Sequence, residues 1–230
     1  NKGRIWFTDM PRNQIGYFDP DENKTFTKTI PIKGSFPMYI QADFDGNIWT
    51  ALVNKNIILK YLPELDEFEE VRLPKVESLP FALTIDDDGM IWYAATAVGE
   101  IGFIDPKNNQ LTQFSKDSPL QAPEALIFDK SGNLWIAEHT GLAITKFNPV
   151  LETFEKVSIP NEEASPFGMT FDRYGNLWIA QHTVDSIAIY DPDNNDLIEV
   201  PVPTETSFVQ FMTSDDKNNV WFVEQQSNKL

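Results

Sequence analysis

Cysteine is absent from the 230 residues, which excludes disulfides, thiolate nucleophiles and cysteine-ligated metals together. Histidine is almost as scarce, with only His139 and His182. Basic residues are few: 18 Lys and Arg face 35 Asp and Glu, a formal charge of −17. A nucleic-acid partner needs a basic footprint on the protein, so that class is excluded. No run of about 18 apolar residues occurs, so no membrane-spanning segment is expected. The charge balance fits a protein that repels its neighbours, meets cations or basic partners, and works in an extracytoplasmic or secreted setting. Apolar residues at 41% and aromatics at 13% supply material for a buried core, which excludes wholesale disorder.

What is present is a repeat. The six tryptophans stand at Trp6, Trp49, Trp92, Trp135, Trp178 and Trp221, each 43 residues after the last. Nine residues past them come Ile15, Ile58, Ile101, Ile144, Ile187 and Leu230, and fourteen past come Pro20, Pro63, Pro106, Pro149 and Pro192. Asp43, Asp86, Asp129, Asp172 and Asp215 each precede a Trp by six residues, with Gly46, Gly89, Gly132, Gly175 and then Asn218 three residues later.

Each unit reads as four short strands. Pro166–Phe171 enters an Asp-x-x-Gly-Asn turn, Leu177–Ala180 leaves it, and Ser186–Tyr190 and Leu197–Val200 follow. Short strands with turn residues every eight to twelve positions specify an all-β protein. Apolar residues often lie side by side, as in Ile57-Ile58-Leu59, so both strand faces must be covered. A four-stranded unit of about 40–45 residues is the size of a propeller blade, and radial stacking covers both faces. The predicted fold is a single β-propeller domain over 1–230. It divides into a partial blade at 1–36, four full blades at 37–208 and a partial blade at 209–230. Six such units need roughly 260 residues and seven roughly 300, so the sequence reads as a fragment of a six- or seven-bladed propeller.

Gly132-Asn-Leu-Trp-Ile-Ala-Glu138, Gly175-Asn-Leu-Trp-Ile-Ala-Gln181 and Val220-Trp-Phe-Val-Glu224 carry a resemblance. In these segments the chain resembles the virginiamycin B lyase (streptogramin lyase) family along its whole length. The resemblance implies a seven-bladed propeller that opens a cyclic depsipeptide by elimination, using Mg²⁺ and a histidine base in a Pro-His-x-Ile segment. The corresponding segments begin Pro37-Met38, Pro80-Phe81, Pro123-Glu124, Pro166-Phe167 and Val209-Gln210, and none carries histidine. Abstraction of a carbon-bound proton needs a base of suitable pKa, which Met and Phe cannot supply.

The same resemblance places the family's metal-side carboxylate three residues after Trp, where this chain has Asp9, Leu52, Ala95, Glu138, Gln181 and Glu224. Glu124 and Glu138 are therefore the candidates for a hard cation, Mg²⁺ or Ca²⁺, held by oxygen ligands and water. Two solvated acids on an acidic protein are the simpler alternative. His139 and His182 occupy one site in neighbouring blades, and with Glu138 they could form a Zn²⁺ site. Duplication of one blade is the simpler account of the two Glu/Gln-His-Thr triplets. Asp86-Asp87-Asp88-Gly89 looks like a calcium loop, but its counterparts carry Lys130 and Arg173, so a turn in which Asp accepts backbone N–H bonds is expected.

The position after each strand-opening residue, Met38, Phe81, Glu124, Phe167 and Gln210, together with His139 and His182, is expected to line the channel mouth. Its largely apolar make-up suits a small molecule or protein partner better than hydrolysis. The leading reading is a non-catalytic, lyase-like binding or scaffold module. The rivals are a Mg²⁺-dependent streptogramin-type lyase whose histidine base lies outside this chain, and a gluconolactonase-like hydrolase.

Overall fold

The computed structural model describes residues 3–114 and 118–230, and nearly all of its regular structure is antiparallel strand. The chain forms two compact units, Asn1–Lys116 and Asp117–Leu230. In the first, β1 (Ile5–Asp9), β2 (Gln14–Asp19) and β3 (Lys24–Thr29) make a three-stranded sheet. One four-stranded meander follows with β4 (Pro37–Ala42), β5 (Ile48–Leu52), β6 (Ile57–Leu62) and β7 (Glu67–Arg72). Another holds β8 (Pro80–Ile85), β9 (Ile91–Ala95), β10 (Glu100–Ile104) and β11 (Leu111–Phe114).

The second unit repeats the pattern. It has β12 (Pro123–Phe128), β13 (Leu134–Glu138), β14 (Ala143–Asn148) and β15 (Thr153–Ser158), then β16 (Pro166–Phe171), β17 (Leu177–Gln181), β18 (Ser186–Asp191) and β19 (Asp196–Pro201). A two-stranded sheet, β20 (Val209–Ser214) and β21 (Val220–Glu224), completes it. Every strand pairs with its sequence neighbour, and first strands of successive sheets approach one another, β1 to β4 to β8 and β12 to β16 to β20.

The unbroken apolar runs are explained by burial on both faces. All five residues of β5, β9 and β13 are buried, while the fourth strands β15 and β19 are mostly exposed. The core lies between sheets. Trp49, Ala51 and Ile58 pack with Leu83, Ile91 and Tyr93 in the first unit, and Trp135, Ala137 and Ile144 with Met169, Leu177 and Ile179 in the second. Ala51, Ala94, Ala137 and Ala180, each two residues past a Trp, are fully buried, and their small side chains let neighbouring sheets close.

One turn organises each of the five sheets after the first. Asp129 Oδ1 accepts the backbone N–H groups of Ser131 and Asn133, and Oδ2 accepts the Trp135 indole N–H at 2.9 Å. The indole bond recurs from Trp49 to Asp43, Trp92 to Asp86, Trp178 to Asp172 and Trp221 to Asp215. Gly46, Gly89, Gly132 and Gly175 take φ values of 88°, 83°, 78° and 94°, and Asn218 takes 67°, a left-handed turn position that glycine and asparagine tolerate. Asp86 fills its oxygens in the same way, so the calcium-like segment is a hairpin turn. Asp215 shows the electrostatic consequence: bonds from Asn219, Trp221 and the backbone hold its carboxyl down at about 2.

Candidate functional site

The residue after each second strand is pinned by its backbone. Val53 and Thr96 donate their N–H groups to the carbonyls of Phe36 and Leu79 in the first unit. In the second unit His139 donates to Ala122, His182 to Ser165 and Gln225 to Phe208, at 3.1, 2.8 and 3.2 Å. Ala122 and Phe208 sit at φ 48° and 49°, a left-handed conformation that costs these residues free energy and is held by the surrounding bonds. The 43-residue register therefore brings His139, His182 and Gln225 to the same end of neighbouring sheets.

Their side chains meet. His139 Nε2 and His182 Nδ1 stand 3.4 Å apart, and His182 Nε2 lies 3.3 Å from Gln225 Oε1. Phe167, 4% exposed, sits beneath both imidazoles, with ring centroids 5.9 Å from His139 and 5.3 Å from His182. Phe211, 40% exposed, packs edge-on against Phe167 at 5.5 Å, and Phe208 packs against His182 at 5.5 Å. Burial, and then the charge of His182, lower the His139 pKa from its ordinary value. Centroid distances of this size are those of favourable aromatic pairs.

Glu124 is half-buried at the start of β12, where the register against β13 shifts between Pro123 and Ala125. Desolvation pushes its carboxyl up to about 7 from an ordinary 4.5. The folded protein thus keeps a proton that the unfolded chain gives up, and stability falls as pH rises from about 4.5 to about 7. Glu124→Gln removes that fall. Discounted for solvent access, the variant should be more stable than the wild type at pH 8 by about 1 kcal/mol, or roughly 2–4 °C in Tm, and equal to it at pH 4. Denaturant titrations of both proteins across this range check the sign.

Glu138, the other candidate cation ligand, is engaged by the protein itself. Its side chain is fully buried, Oε2 accepts the Gln121 backbone N–H at 2.6 Å, and Oε1 accepts the Thr145 hydroxyl. Lys156 Nζ stands 3.8 Å from Oε2. The neighbouring repeats explain the arrangement. Ser35, Ser78 and Ser207 donate their N–H groups to Asn13, Asn56 and Asp185, each 22 residues earlier, and their counterpart Gln121 likewise needs a side-chain acceptor. Glu138 supplies it. Both Glu138 oxygens thus accept bonds from the protein's own donors. Among the described residues no group of three or more His, Asp or Glu gathers as a metal site.

The other expected site residues divide between the units. In the first, Met38 and Phe81 are half-buried, and the Phe81 ring lies 5.9 Å from Tyr39. In the second, Gln210 is half-buried in β20, one residue before Phe211. A cleft of about 200 Å³ in the first unit is lined by Trp6, Tyr17, Tyr61, Lys28 and Asp66. Another, of about 190 Å³, lies at the turn end of β12 and β16, beside Asp129 and Gly175 and away from the histidines. Neither holds an expected site residue. No helix among the described residues is long and apolar enough to cross a membrane.

The sequence profile of the virginiamycin B lyase family matches residues 66–230. The chain belongs to this family. Solved virginiamycin B lyase structures share its fold. A catalytically inactive histidine-to-alanine variant from Staphylococcus aureus with quinupristin is 23% identical with a TM-score of 0.91, over 100% of this chain and 76% of that one. The selenomethionine-substituted enzyme from the same organism is 22% identical over 97% and 75%, with a TM-score of 0.89. A streptogramin B lyase is 24% identical over 98% and 74%, with a TM-score of 0.90. No curated protein matches the chain by sequence. The fold of this virginiamycin B lyase family member is the β-propeller, as its repeat predicts.

Proposed function

We propose that this virginiamycin B lyase family member is a binding module for a small molecule with aromatic or aliphatic groups, which it holds without turning over. The observation that carries this reading is the residue after each strand opening: Met38, Phe81, Glu124, Phe167 and Gln210 include no imidazole, and Phe167 lies among the rings of His139, His182 and Phe211. The ring cluster around Phe167 in the second unit gains affinity from apolar area and ring contacts, with a few polar groups to orient the ligand. Quinupristin, the molecule seen with a related lyase, is the probe to use. Calorimetry should show saturable binding that weakens about tenfold in Phe211→Ala. Chromatography should show no ring-opened isomer, with or without Mg²⁺. Ring opening that requires the ion sinks the proposal.

A second reading, elimination with Glu124 as the base, is favoured by the position of its carboxyl near 7, the range suited to a base working at neutral pH. Ionised Glu124 would take a carbon-bound proton, the ester C–O bond would break, and the ring would open to a carboxylate. Turnover that rises with pH through about 7 and vanishes in Glu124→Gln selects this reading over binding alone.

A further inference from the structure

We propose that His139 and His182 bind one late first-row divalent metal ion, Zn²⁺ or Cu²⁺, through His139 Nε2 and His182 Nδ1. The site goes beyond the ligand reading and does not depend on it.

Spacing is the first support. Two nitrogens that each lie about 2.0–2.1 Å from a tetrahedral ion are about 3.3–3.4 Å from one another. The two imidazole nitrogens stand 3.4 Å apart. Protonation is the second. Gln225 Oε1 can only accept, so the His182 Nε2 beside it carries the hydrogen and Nδ1 presents a lone pair towards His139. With its hydrogen on Nδ1, His139 presents a second lone pair from Nε2. Two facing lone pairs leave room between them for one Lewis acid, a proton or a metal ion.

The ligands are also held in place. Both histidines are fixed by backbone bonds at their strand ends, and Phe167 packs beneath both rings. Gln225 orients His182 through its far nitrogen, the arrangement by which metal-bound histidines are commonly held. Nitrogen ligands favour Zn²⁺ and Cu²⁺ over Mg²⁺ and Ca²⁺. Glu138 is occupied by Gln121 and Thr145, so the remaining coordination positions are open to water or to an oxygen or nitrogen donor on a bound molecule.

The chain has no cysteine and no third histidine, so binding can be read without background from such side chains. Full-length protein without a polyhistidine tag should take up one Zn²⁺ by calorimetry, unaffected by millimolar Mg²⁺ and weakened below about pH 6 as protons compete. With Cu²⁺, electron paramagnetic resonance should show coupling to two imidazole nitrogens. His182→Asn should abolish the two-nitrogen signal and weaken Zn²⁺ binding at least tenfold. Gln225→Ala, which leaves both ligands, should weaken it about tenfold or more. Failure to bind a stoichiometric ion, unchanged affinity in a folded His182→Asn protein, or a copper spectrum without nitrogen coupling overturns the proposal. Because no small molecule is present, these outcomes are independent of the quinupristin titration.

Discussion

Truncating Trp135 to alanine is expected to cost about 3–5 kcal/mol, more than any surface change in the second unit. The indole is 1% exposed and lies between two sheets, with Phe171 edge-on at 6.2 Å and Tyr190 at 5.7 Å. Its removal leaves a cavity walled by strands whose hydrogen-bonded backbones cannot collapse inward. It also takes the indole donor from Asp129 Oδ2. At roughly 2–4 °C per kcal/mol, Tm should fall by about 10 °C. Trp135→Phe separates the two contributions: most of the packing survives, the N–H is lost, and about 1–2 kcal/mol should go with it. Trp221→Ala supplies the contrast. Trp221 makes the same bond, to Asp215, but is 45% exposed, so its loss should cost less than half as much. Equal costs at the two positions would mean that the Asp–indole bond, and not burial between sheets, dominates.

The Trp series was legible in the sequence because each repeat solves the same local problem. Asp at six residues before Trp, and Gly or Asn three residues after that Asp, were visible too, and the turn geometry follows from them. The indole as the carboxylate's extra donor was missed, although the constant six-residue spacing signalled it. The site was less legible because it depends on where the repeats differ. That His139 and His182 share a register was readable from their separation. How near their rings come depends on how closely β16 approaches its neighbours, which no spacing along the chain encodes. Glu138 is a cation candidate in the sequence because the family resemblance places a metal-side carboxylate three residues after Trp. Its carboxylate serves instead as acceptor for Gln121 and Thr145 inside the second unit. Phe167 thus has rings for neighbours, and Glu138 holds backbone and hydroxyl donors.

Gly168→Ala should reveal the same limit of repeat reasoning. Ala82 and Ala125 occupy the equivalent positions in the two preceding repeats, so the repeat itself recommends alanine, and glycine within a strand is normally a weakness. The structure predicts the opposite. A Cβ on Gly168 would stand 2.3 Å from the Gln210 carbonyl oxygen, 2.9 Å from Phe211 Cα and 3.1 Å from Met212 N. These are backbone atoms of β20, so no rotamer change relieves the clash and the strand must move. The cost should be about 1–3 kcal/mol, as for other overpacked cores. It should be local: amide exchange should accelerate in β20 and β21 while β12–β15 keep their protection. The movement also separates Phe211 from Phe167, and Phe208 and Gln225 from His182, so quinupristin and Zn²⁺ binding should weaken together. Ala125→Gly, which creates no clash, should cost only about 0.5–1 kcal/mol and leave both ligands bound. A Gly168→Ala protein as stable as the wild type, with unchanged exchange in β20, would show that β16 and β20 do not pack at this distance, and the histidine cluster built on that contact would fall with it.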